Sequence, residues 1–457
     1  MTTTASPGER IESPVLDTLL SSGLRLVAVR DTTVPLVEIR LSFPCLGAGE
    51  EHAATAHTLG DLLLRHTDEE QRSLPVEWRA CELDSGRDVD RLGAFGYASA
   101  SGIEQVLRVL AERLARPHHP KEVVLEARQR LAAQVSISRG DARWTALAAL
   151  LRRRHPADAL PFDMPDPELL RHVEPADVAA LHRARIRPDA ATLVLVGDLP
   201  ADIVPMTERA LAPWQNDGPP APAFRAPVLP PVPGEPALVH RARSAQAEIL
   251  LAGRAPHRAH DQRPAFDVAN VLLGGEVASR LSRNLREDKG YAYAVGSGVE
   301  VVAQLPTVMI QLGVGEPHVA AALAEVRTEL VRLAEEPVDE GELDAARRLL
   351  SGRVATAQVS PSSRATFLSN LVAEGATSAW LDTYPRRLAS LTPADVRAAA
   401  RACLHPDVLD VIVVGDTASL AGPLDEFAEL NVRRYARLAD VTSVTPSHTA
   451  LSAEGTR

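Results

Sequence analysis

Two periodicities alternate along the chain. LRLVAVRD (residues 24–31) and LVEIRLSF (residues 36–43) are short, β-branched, alternating runs that read as strands. GIEQVLRVLAERLARP (102–117) and PKEVVLEARQRLAAQV (120–135) instead space apolar residues three and four apart, which lines one face of a helix. AHTLGDLLLRHT (56–67) reads as a helix with Leu59, Leu62 and Leu63 as its apolar stripe. The second half repeats the alternation. AEILLAG (247–253) is a strand, and helices are expected over Phe266–Leu273 and Val277–Glu287. YAYAVGSGVEVV (291–302) and TVMIQLGV (307–314) read as paired strands. Helical patterns then cover 318–336, 339–358 and 362–375.

The chain also repeats itself. EPADVAALHRARIRPDAATLVLVGD (174–198) and TPADVRAAARACLHPDVLDVIVVGD (392–416) align without a gap at an offset of 218, from Asp198 to Asp416. Each copy opens a helix with Pro and Asp in its first turn, stops at a Pro-Asp pair and runs into a β-branched strand ending in Gly-Asp. Between the copies lies PWQNDGPPAPAFRAPVLPPVPGEP (213–236). Nine of its 24 residues are proline, which excludes a helix or central strand and predicts an extended linker. Strands split by helix clusters, twice over, give an α+β fold of two homologous domains, 1–212 and 237–435. Each is expected to be a mainly antiparallel sheet packed with helices. Residues 436–457 lose periodicity and read as a flexible tail.

Composition narrows the function. The formal charge is −11, and no basic face suggests nucleic acid. Nearly all the cations are arginine; Lys121 and Lys289 are the two lysines. Cys45, Cys81 and Cys403 form no CxxC pair, which fits a reducing compartment. The N-terminus lacks a secretory pattern, and no apolar run is long enough to span a membrane. The expected location is the cytoplasm.

Two stretches carry a resemblance. Residues 16–67, ending in the His57 helix, resemble the opening of the pitrilysin/insulinase metallopeptidases, including the mitochondrial-processing-peptidase type. In those enzymes an H-x-x-E-H helix binds zinc. Residues 278–298, ASRLSRNLREDKGYAYAVGSG, resemble that family's second-domain signature, S-R-L-x-x-x-[IL]-R-E-x-x-G-x-A-Y. The resemblance implies half of a clamshell enclosing a chamber. It puts the first histidine on His57, the general base on Gly60, the second histidine on Asp61 and the last ligand on Ala133, beside Gln134. One functional position of four survives. His57 and Asp61, four residues apart, can still touch one cation, with His52 or His66 as added donors by proximity. Gly60, however, has no side chain to accept a proton. The alternative is a packed helix with His57 and Asp61 on a wet cavity wall.

The second motif is intact. The resemblance assigns Arg286 and Tyr293 to a pair that holds the substrate carbonyl where negative charge grows. Tyr291 competes for the tyrosine role, and Lys289 reads as a solvated loop charge. Gly274-Gly275 is a helix–helix turn; the long glycine-rich loop of some non-zinc subunits is absent. A chain without the zinc half and with the clamp half is expected to be the non-zinc subunit of a heterodimer. It would bind no metal itself, and a homologous H-x-x-E-H partner would carry the zinc. Peptide, possibly a leader peptide, is the expected substrate, with no nucleic-acid or membrane partner. A catalytically inactive peptide-binding or scaffold protein is the alternative.

Overall fold

A computed structural model describes residues 15–155, 164–215, 218, 235–244, 246–302, 305–425 and 432–442. Six strands build a first sheet: β1 Leu16–Leu19, β2 Arg25–Arg30, β3 Leu36–Pro44, β4 Glu82–Arg87, β5 Arg91–Ser99 and β6 Thr192–Gly197. Their order is β1-β2-β6-β3-β5-β4. The second sheet has β7 Ala237–His240, β8 Gln246–Arg254, β9 Ala292–Val302, β10 Leu305–Gly315, β11 Asp410–Gly415 and β12 Arg433–Tyr435, ordered β12-β7-β11-β8-β10-β9. Both sheets are mixed. β2–β6, β7–β11 and β7–β12 are parallel, and the other pairs are antiparallel. The edges that matter below are β4 and β9.

The repeat folds alike in both copies. Helix Pro175–Arg185 and β6 recur, 218 residues on, as helix Pro393–Cys403 and β11. Both helices start in a capping box, closed by Asp177 and by Asp395, which satisfies two orphan backbone N–H groups.

Each sheet buries both faces, which explains the unbroken apolar runs of β6 and β11. Leu26, Ile39 and Leu195 face the helices of the first half, among them Leu59, Leu62 and Leu63. Val27, Val29, Val194 and Val196 face the other way, toward Ala365 and Leu368 of helix Pro361–Ala373. Reciprocally, Leu250, Ala252, Ile412 and Val414 pack on Ala146, Ala149 and Leu150 of helix Ala142–Arg154. Each half thus lends one helix to the outer face of the other's sheet. Arg154 locks one of these crossings. Its Nε donates to Asp410 Oδ2 at 2.9 Å and its Nη2 to the Ala252 carbonyl at 2.7 Å, all buried.

The Pro-rich 213–236 segment lies largely outside the described residues. Trp214 within it is buried, stacks edge-on against Phe43 and donates its indole N–H to Ile186. Leu438 and Val441, in the span expected as tail, pack on the second sheet; residues 443–457 lie outside the described residues. The helix expected at Val277–Glu287 is instead a turn followed by a π-helix, Ser282–Asp288. Among the described residues, no helix is long and apolar enough to cross a membrane.

Candidate functional site

The His57 helix spans Glu50–Leu62, and Thr67 caps the next short helix, so the helix ends before His66. His57 is not on a wet wall. It is largely buried, with Arg87 Nη1 3.5 Å from its Nδ1. Burial, together with that guanidinium, holds its pKa down at about 4, so the ring is neutral at pH 7. Asp61 is bound by two other cations, Arg130 Nη2 at 2.5 Å and Arg65 Nε at 3.0 Å. At Gly60 a Cβ would lie 3.0 Å from the Gly86 carbonyl carbon and the Arg87 Cβ, because β4 rests directly on the helix. Any side chain there, a glutamate included, meets that strand.

The remaining candidates point elsewhere. Ala133 is exposed on helix Lys121–Ser138 and offers no donor, and its neighbour Gln134 is exposed too. His52 Nε2 sits 3.2 Å from the Cys45 carbonyl, and His66 packs edge-on against Trp78. Among the described residues, no three His, Cys, Asp or Glu side chains converge as metal ligands. The residues around His57 do not fit a zinc tetrahedron: three arginines stand where a second imidazole and a carboxylate would be needed.

The second motif has a different character. Arg286 lies in the Ser282–Asp288 π-helix, a rare conformation frequent at functional sites. Its side chain is exposed and contacts Glu287 at 3.4 Å. Lys289 is not a free loop charge; it forms an ion pair with Glu325. Of the two tyrosines, Tyr291 is partly buried and stacks on His318, 5.0 Å between ring centres. Tyr293 is 67% exposed. It occupies a β-bulge: Ala294 pairs with Gly313 and Ala292 with Val314, so Tyr293 has no partner of its own. A bulge re-aims a side chain. Here the ring lies over Gly313, where a Cβ would come within 2.7 Å of it.

Beside Tyr293 a cleft of about 570 Å³ opens over β9 and β10 on the face of the second sheet that carries helix Ala142–Arg154. Its floor is glycine-rich, with Gly296, Gly298 and Gly313. Asp141 and Arg143 from the first half and Glu248 from β8 complete it; Arg143 donates to the Gln311 side chain. The sequence motifs missed Glu248. Its signal was an outward carboxylate between buried Ala247 and Ile249 in an otherwise apolar strand. Arg286 lies on the helix that leads into β9, outside the residues lining this cleft.

Comparison with known proteins places the chain among similar folds. Residues 172–350 match the Peptidase M16 inactive domain family. An uncharacterized zinc protease of Streptomyces coelicolor is 28% identical over 184 residues, 40% of this chain; the match spans only 38% of that relative's length. The structure of a peptidase M16 inactive domain from Pseudomonas fluorescens superposes with a TM-score of 0.77 at 20% identity, covering 88% of this chain and 98% of that one. A Helicobacter pylori protease gives 0.75 at 17% identity, covering 88% and 99%. These two structures show the same fold. Residues 172–350 thus match the Peptidase M16 inactive domain family, and the two-sheet architecture of the whole chain is the fold of the M16 structures.

Proposed function

We propose that this chain is the non-zinc subunit of a heterodimeric zinc metallopeptidase that cleaves peptides. One observation carries the reading: arginines crowd the remnant of the zinc helix, while Tyr293 stands exposed at a bulge above an open cleft. Zinc, held by an H-x-x-E-H partner, would supply the activated water. This chain's residues would do the rest. Arg286 and Tyr293 donate hydrogen bonds to the substrate carbonyl as its oxygen gains charge, and each such donor is typically worth about 3–4 kcal/mol of barrier. The β9 edge offers unpaired backbone groups, to which an extended peptide adds as a strand. Leader-peptide removal is one process this would serve.

The test is co-expression with a candidate H-x-x-E-H partner. A stable complex that cuts peptides, where neither chain alone does, supports the reading. Arg286→Ala or Tyr293→Phe is then expected to cut the rate about a hundredfold or more with the complex intact. Full activity in both variants contradicts it. A complex that binds peptide without cutting it points to a holding role instead.

A further inference from the structure

Glu248 is a carboxylate waiting for a cation. It lies at the same step of the repeat as Glu38: Glu38 pairs with Val196 across β3–β6, and Glu248 with Val414 across β8–β11. In the first half Arg40, two residues on and on the same face, holds Glu38 at 2.9 Å. In the second half that place is Leu250, buried under helix Ala142–Arg154. Among the described residues, no hydrogen bond or ion pair reaches the Glu248 carboxylate. Arg143 in this cleft is tied to Gln311, and Arg241 and Arg243 line an adjoining cavity that shares Glu248 and Tyr293 without an ion pair to the carboxylate. Burial raises the Glu248 pKa to about 7 against the opposing pull of the Arg143 charge, and Asp141 adds to the negative potential. Such a group gains from a cation that restores its charged form.

The approach to Glu248 is built for a slender chain. Glu248 pairs directly with Gly313, over which the Tyr293 ring lies, so phenol and carboxylate adjoin on one face of the sheet. Gly296 and Gly298 keep the floor of the cleft low. An alkyl stem laid along these glycines brings its charged end to the carboxylate, with an aromatic face beside it. We infer that Glu248 is a specificity-determining residue that seats a cationic group of the peptide, a basic side chain or a free N-terminal amine, beside Tyr293. This rests on the reading that Tyr293 contacts the peptide.

The test uses the full chain and fluorescence anisotropy of short labelled peptides of alanine, valine and serine. One is end-blocked with a central lysine, one is end-blocked with norleucine in its place, and one has norleucine with a free N-terminal amine. The lysine or the free-amine peptide is expected to bind about tenfold tighter than the blocked norleucine peptide, and which of them gains identifies the source of the cation. Glu248→Gln, with an unchanged thermal midpoint, is expected to abolish the difference. Equal binding of all three, or a preference that survives Glu248→Gln, overturns the inference. If equal binding is lost in Tyr293→Ala, the inference falls while the role of Tyr293 stands. No binding by any peptide overturns both.

Discussion

The two halves share one architecture and treat charge in opposite ways. In the first half His57, Asp61 and Glu38 are each met by arginines from within the molecule. Arg87 abuts His57, Arg65 and Arg130 hold Asp61, and Arg40 holds Glu38. In the second half Tyr293 is exposed and, among the described residues, the Glu248 carboxylate has no ion pair or hydrogen bond, with Arg143 acting on it only through its charge. A duplicated fold can therefore treat equivalent faces differently without changing its strands. The difference lies in a handful of side chains that either find partners inside the molecule or leave their valences open to a ligand.

The crossing helices offer the strongest way to break this comparison. Arg154 and Asp410 form a buried ion pair on one crossing; the repeat position of Asp410 in the first sheet is Thr192, and the other crossing relies on Arg40 hydrogen bonds to Ser362 and Thr366. Asp410→Ala leaves a buried guanidinium unpaired and is expected to cost about 3–5 kcal/mol in chemical denaturation. Arg40→Ala removes those hydrogen bonds and leaves the Glu38 carboxylate without its cation, and is expected to cost about 1–3 kcal/mol.

Acid should separate the halves next. His119, His155 and His182 are buried, and all lie in the first half. His119 Nε2 faces His182 Nδ1 at 3.3 Å. Burial holds the three near pH 3, 4 and 4, below the ordinary 6.5. With folded-state pKa values depressed, each leaves stability intact above about pH 6.5. Each then withdraws it as pH falls toward 4, by about 1.4 kcal/mol per pH unit, because only the unfolded chain takes up the proton. Thermal midpoints between pH 7 and 4 should fall along this slope, and His182→Phe should flatten it.

A smaller effect contrasts two glycines. Gly60→Ala gains about 1 kcal/mol of helix propensity but drives a Cβ to 3.0 Å from β4, an overpacking cost of about 1–3 kcal/mol. A net loss of about 1 kcal/mol is expected. At Gly296 the nearest atom to a Cβ is 3.9 Å away, so Gly296→Ala should stay within about 0.5 kcal/mol in the same assay.

Much of the fold was legible because it is local. The 218-residue repeat carried its own caps and central strands, and the 278–298 signature lies within the matched inactive-domain region. Three things were not. Arg87 beside His57 and Arg130 beside Asp61 come from β4 and helix Lys121–Ser138, contacts that no local pattern encodes. The exchange of helices between halves depends on which outer sheet face lacks cover, which periodicity cannot assign to a partner. The π-helix at Arg286 follows from its closing bonds, Lys289 N–H to Asn284 and Tyr291 N–H to Leu285, not from the propensities of its residues.

The most direct measurement is peptide hydrolysis by the reconstituted heterodimer with one variant in each half of this chain. His57→Ala is expected to leave the rate within about twofold, and Tyr293→Phe to lower it about a hundredfold, with zinc found in the partner alone. The reverse ranking, or stoichiometric zinc bound by this chain, would contradict the division of labour between its halves.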